Sequence, residues 1–239
     1  MFLDPFKLAS LTVQIQYADA LEIWDRAGAT AKEMSKIWTD LQVLEGQPNQ
    51  QILSGKNVQI QTGIKLSLAT LTNLSSIDRQ TIERVAQTFR TWRSELSLEQ
   101  LSRLSTRALY TRDFESIKEA NLALRGLNLV RWPTAKIFDQ PEDSETNAPE
   151  VAFKFEDSKS FSILRFRTEQ LKFRMPPLPP PFEDAAADVG EKTVNRLVVD
   201  LDRGLLGIIN ATQVMMDEWL RGFQHILRRD IEKIVGGSS

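Results

Sequence analysis

The sequence predicts an α+β protein: a long curved antiparallel sheet from two similarly ordered β-α-β-β-α halves, helices packed on one face, and a long C-terminal helix. Three observations carry this. Stretches that alternate apolar and polar residues recur along the chain, such as LTVQIQY at 11–17, and strict alternation marks a half-buried strand. A few stretches with apolar residues at helical intervals separate them, and the order of elements runs twice. The chain then closes on its longest helical pattern, over roughly 206–234.

Each element has a local reason. In residues 11–17, Leu11, Val13, Ile15 and Tyr17 face one side and Thr12, Gln14 and Gln16 the other. Asp19 and Glu22 have capping-box spacing ahead of a helix whose apolar positions are Leu21, Trp24, Gly28, Ala31, Met34 and Trp38. EGQPNQ reads as a turn. QQILS then reads as a short strand, and residues 58–68 as a long one bent at Gly63. Ser75 with Asp78 repeats the capping-box spacing, and Ile82, Val85, Phe89, Trp92 and Leu96 form the stripe of the next helix.

The second half opens on a strand in which Leu104, Thr106, Ala108 and Tyr110 alternate with Arg103, Ser105 and Arg107. Asp113 is placed to cap a short helix bearing Ile117, Ala120, Leu124 and Leu127. DQPEDSETNAPE is an acidic loop; VAFKF and FSILRFRTEQLKFRM are strands, the latter with a parity change that suggests a bulge. The prolines of PPLPPP (176–181) cannot join a central strand and suit a stiff linker or an edge wrap. RLVVDLD is the last strand, and the final helix takes its stripe from Ile208, Met215, Trp219, Phe223, Ile226 and Ile234. The expected division is 1–97 and 98–235 within one sheet, with 236–239 a flexible tail.

With 239 residues, 41% hydrophobic and 26% charged, the composition is that of an ordinary globular protein with room for a sizeable core. No apolar run reaches the roughly 18 residues of a membrane span. The start, MFLDPFKLAS, lacks the basic and apolar regions of a signal peptide, so the expected compartment is the cytoplasm. The absence of cysteine excludes disulfides, thiolate metal sites and cysteine nucleophiles. One histidine also rules out zinc-finger and metalloprotease spacings. There is no glycine-rich phosphate loop and no nucleophile elbow. A net charge of −2 argues against a dedicated nucleic-acid binder, which draws its affinity from a basic excess.

The element order, with LTVQIQYADALEIWDRA, NVQIQTGIKLSLATL, TFRTWRSEL, RLSTRALYTRDF and VVDLD in sequence, resembles a sporadically distributed bacterial family of uncharacterised proteins of about 250 residues. The resemblance covers about 8–235. It implies the fold order and brings no activity. In that family a basic residue and a tyrosine are adjacent on the middle strand; here Ala108 and Leu109 separate Arg107 from Tyr110.

The candidate binding residues are Arg107, Tyr110, Arg165, Arg167, Asp200 and Asp202. Strand parity puts Val198, Asp200 and Asp202 on one face and Leu197, Val199 and Leu201 on the core face. A carboxylate pair could ligate a cation or act as an acid–base pair, but a hard cation needs about six oxygens, so the expected role of the pair is a solvated strand face. Asp202 would help a turn into Gly204. Arg165–Arg174 interleaves arginine with phenylalanine as single-strand binders do, and as half-exposed strands do. His225 falls on the polar side of the last helix among cations, without an orienting carboxylate. The expectation is a non-enzymatic interaction or ligand-binding protein, without cofactor or metal, whose partner is a protein or small ligand, accompanied by homodimerisation. The alternatives are a metal-assisted enzyme on phosphate esters using Asp200 and Asp202, and a nucleic-acid binder using Arg165–Arg174.

Overall fold

The computed structural model describes residues 2–47, 49–132, 149–173 and 192–236. The first half runs β1 (Lys7–Gln16), α1 (Ile23–Ile37), β2 (Gln42–Gln47), β3 (Gln50–Ser54), β4 (Val58–Gly63), β5 (Leu66–Leu74) and α2 (Arg79–Glu95). The second runs β6 (Gln100–Phe114), α3 (Ile117–Arg125), β7 (Glu150–Glu156), β8 (Ser160–Phe173), β9 (Lys192–Asn210) and, after a short 3-10 turn, α4 (Met216–Gly236). The strands form one nine-stranded sheet, ordered β2-β3-β4-β5-β1-β6-β9-β8-β7. Every pairing is antiparallel. In each half the first strand pairs with the last, β1 with β5 and β6 with β9. The two first strands then pair with each other at the centre.

The described helices all lie on one face. Register partners across a ladder point the same way, so Leu11, Val13 and Ile15 of β1 share a face with Ala108, Thr106 and Leu104 of β6. The tryptophans tie helices to that face by their ring N–H groups: Trp92 of α2 donates to Thr62 at 2.9 Å and Trp219 of α4 to Thr106 at 2.8 Å. Thr168 of β8 bonds Asn121 of α3 at 2.6 Å on the same side. Trp38, just past α1, donates to Thr88 of α2, which holds α1 against its neighbour. The fully buried Trp92, Phe89, Phe166 and Phe223 fill the layer between helices and sheet, each burial contributing about 1.5–3 kcal/mol before packing terms.

The structure corrects several local expectations. Residues 58–68 are not one strand. The chain reverses at Ile64 and Lys65, and β5 returns beside β4 with Thr62 opposite Ser67. Neighbouring backbone pins the reversal: Tyr17 and Ala20 N–H donate to the carbonyls of Lys65 and Ile64. The Tyr17 hydroxyl donates to Gly63 O at 2.6 Å, and burial pushes this phenol up to about 12. Strand β2 escapes the sequence because it is an edge exposed on both sides and shows no alternation. Helix α1 turns Ile23, Thr30 and Met34 inward and leaves Leu21 and Trp24 exposed, with no side-chain cap. Asp78, not Ser75, caps α2 by accepting from Thr81 N–H, and Ser116, not Asp113, caps α3.

Strand β8 runs against β9 in unbroken register from Ser160↔Leu205 to Phe173↔Lys192, so it carries no bulge. The long C-terminal element is a strand before it is a helix. Residues 204–210 continue β9, Ile208 is 86% exposed, and α4 begins only at Met216. The irregularity falls here instead: the β6–β9 register shifts between Leu101 and Arg103, beside Gly207 with φ +92°, a backbone angle that suits glycine. Gly236 belongs to α4; 237–239 and the proline segment 176–181 lie outside the described residues.

Candidate functional site

The face opposite the helices is polar, and its charge concentrates on three long neighbouring strands. Register sets the arrangement. Asp200 of β9 sits between Leu109 of β6 and Arg165 of β8, and Asp202 between Arg107 and Ile163. Adjacent strands lie about 4.8 Å apart, so side chains from β6 and β8 both reach a carboxylate on β9.

Asp200 is fully buried, not solvated as strand parity alone suggests. Arg107 grips it with both ends of its fork, Nε to Oδ1 at 2.8 Å and Nη2 to Oδ2 at 2.6 Å. Arg167 Nη1 donates to the same Oδ2 at 3.1 Å, and Arg165 Nη1 stands 3.7 Å from it. Burial alone would raise the pKa of Asp200. The hydrogen bonds and charges of Arg107 and Arg167 outweigh it and hold the carboxyl below its ordinary value. The chain of pairs continues along β8: Arg167 Nε and Arg196 both donate to Glu169, at 2.7–2.8 Å. Glu169 is likewise lowered, its two arginines overcoming burial.

Asp202 differs. Burial, reinforced by the charge of Asp200, raises its pKa against the pull of Arg103 and Arg107; its nearest cation, Arg103 Nη2, is 3.7 Å away. Arg103 is occupied mainly by Phe161, whose ring it covers at 4.6 Å. A carboxylate whose folded pKa is raised costs stability once ionised, so stability falls as pH rises through that value. Asp202→Asn is therefore expected to be more stable than wild type at neutral pH, by on the order of 0.5 kcal/mol. Urea unfolding at pH 7 and pH 4 checks this, since the advantage must shrink at the lower pH.

The structure brings together Arg107, Arg165, Arg167, Asp200 and Asp202. It places Tyr110 elsewhere: its partner Val199 faces the helices, and Tyr110 lines a small pocket with Leu3, Phe6, Ile77 and Arg228. An odd separation of three positions puts Tyr110 on the opposite side of the strand from Arg107. Sequence reasoning missed Arg103, Glu169 and Arg196. The alternation Arg165-x-Arg167-x-Glu169 was a usable signal for the second, while Arg196 and Arg103 join only through register. His225 is exposed on α4, away from this face.

Both oxygens of Asp200 accept from arginine, so a hard cation would have to displace guanidinium groups to reach it. Among the described residues, no group of three or more histidines, acids or cysteines is placed to hold a metal ion. No described helix is long and apolar enough to cross a membrane. No protein-family model matches the chain, and no curated protein matches it.

Proposed function

We propose that this is a non-enzymatic binding protein that presents the open face of its sheet to a partner or ligand. The observation that carries the reading is the division of the sheet's two faces. Helices from both halves bury one, while the other displays partly exposed arginine side chains on β6 and β8, Arg107 at 51% and Arg165 at 29%. Arginine on a rigid strand offers planar donors with little ordering cost on binding. The residues gathered there are organised as salt-bridged pairs rather than as a nucleophile with a base, which favours recognition over turnover. Metal-assisted hydrolysis through Asp200 and Asp202 is the weaker reading, because Asp200 is already saturated by cations.

The test is native mass spectrometry of the protein recovered from its own host, with an Arg107→Glu/Arg165→Glu variant alongside. The expected result is a bound small molecule or protein partner on the wild type that the variant has lost. A wild type that carries nothing, or a variant that keeps the same cargo, would remove the open face from consideration. Mg²⁺-dependent release of a phosphate-ester product by the wild type would favour the enzymatic reading instead.

A further inference from the structure

Resting on that reading of the open face, we infer that the cluster around Asp200 is a receptor for the phosphate group of a small soluble phosphate ester. Within 4 Å, Arg107, Arg165, Arg167 and Arg196 gather round Asp200 and Glu169, and Arg103 stands 3.7 Å from Asp202, the next carboxylate along β9, which makes five cations to three carboxylates. Glu150 adds a carboxylate at the rim, 3.9 Å from Arg165 Nε and itself about half exposed. Three of the guanidinium groups converge on one atom, Asp200 Oδ2. Glu169 shares Arg167 and Glu150 faces Arg165, yet three guanidinium groups still stand within 4 Å of one carboxylate oxygen, and an anion seated over them lowers their mutual repulsion.

The donors needed are spare. The guanidinium of Arg165 makes no hydrogen bond to the described residues; its charged contacts are the two ion pairs at 3.7 and 3.9 Å. Arg107 uses Nε and Nη2 on Asp200, which leaves Nη1 without a hydrogen bond to the described residues, on a half-exposed side chain. Guanidinium carries five N–H donors in a fixed fork that suits planar and tetrahedral oxyanions. Asp200 thereby acts as a positioning residue: fully buried, it aims arginines from two strands at a common point. A doubly charged tetrahedral group offers three free oxygens to forks arriving from β6 and β8, which a single carboxylate does not. The setting also selects the source of the phosphate. None of the exposed large apolar side chains lies on residues 103–109, 163–169 or 196–202, and Phe173, on the same face of β8, stands four positions beyond Glu169, so nothing apolar adjoins the arginines to insert beside a lipid headgroup.

Isothermal titration with inorganic phosphate, phenyl phosphate and acetate tests this. Phosphatidic acid vesicles and a single-stranded oligonucleotide serve as the other arms. Expected are saturable binding of phosphate and phenyl phosphate and at least tenfold weaker binding of acetate. Arg165→Gln should lose at least tenfold in affinity, and Arg165→Lys should fall between, because lysine keeps the charge and loses the fork. Circular dichroism verifies that both variants fold. Acetate binding as tightly as phosphate, or equal binding by Arg165→Gln, overturns the inference. So does binding confined to vesicles or to the oligonucleotide. Should no phosphate bind while host-derived cargo is still lost from the double glutamate variant, this inference fails and the broader reading stands.

Discussion

Asp200→Ala is expected to destabilise the fold by about 3 kcal/mol, near the lower end of what breaking a buried ion pair costs. The reason is what remains. Arg107, Arg165 and Arg167 would face one another without the carboxylate that holds them, and Asp200 itself is fully buried between two strands. The partial exposure of the arginines lets them turn to water, which keeps the loss below the upper limit for such a pair. Asp200→Asn separates charge from shape, since it retains the side-chain volume. Linkage supplies an independent signature. The folded pKa of Asp200 is depressed, so its stabilisation is complete above the ordinary carboxylate range and is lost as pH falls through the depressed value. The gap between wild type and Asp200→Asn should therefore be widest near neutrality and close progressively below about pH 4. Denaturant midpoints across pH 7 to 2.5 measure it. A gap that stays constant with pH would mean that the carboxylate contributes through packing and not through charge.

Gly204→Ala is expected to cost about 3 kcal/mol, the upper part of the range for overpacking a tight site. A Cβ at this position would lie 2.5 Å from the Phe161 ring and 2.7 Å from the carbonyl oxygen of Leu104. The ring could turn, at the expense of its stacking with Arg103. The carbonyl belongs to β6, the strand paired with β9, and moves only if that ladder moves. Thermal unfolding of Gly204→Ala and of Gly204→Ala/Phe161→Leu divides the two contributions. The double variant should recover the part owed to the ring and keep the part owed to the backbone. A single variant as stable as wild type would show that the strands separate more freely than their register implies.

Gly204 also illustrates how the sequence misleads. After VVDLDR a glycine reads as the end of a strand, and Asp202 as a turn former. The glycine instead lets β9 pass close to Phe161 and continue to Asn210. The apolar residues that follow from Leu206, Ile208 and Ile209 among them, read as the start of the final helix because short apolar runs fit either period. A similar ambiguity hid the β4–β5 reversal. Val58, Ile60, Thr62, Ile64, Leu66 and Leu68 continue the alternation straight through the turn, and Ile64-Lys65 lacks the Asn-Gly chemistry that announces a hairpin. Where the pattern was long and one-sided, it was read correctly: Ile82, Val85, Phe89, Trp92 and Leu96 are all buried.

From the sequence by itself follow the α+β class, the single antiparallel sheet with helices to one side, and the inward face of most long elements, because these depend on periodicity within about ten residues of chain. Tertiary structure decided which strands lie side by side, and through that the character of the open face. Asp200 is separated from Arg107 by 93 residues and from Arg167 by 33, and no local pattern encodes that distance. Register across β6, β9 and β8 converts a carboxylate that looks wet into a buried anchor for three arginines. The same register sends Tyr110 to the other side of the sheet, since side chains alternate along a strand and each ladder fixes which side is which.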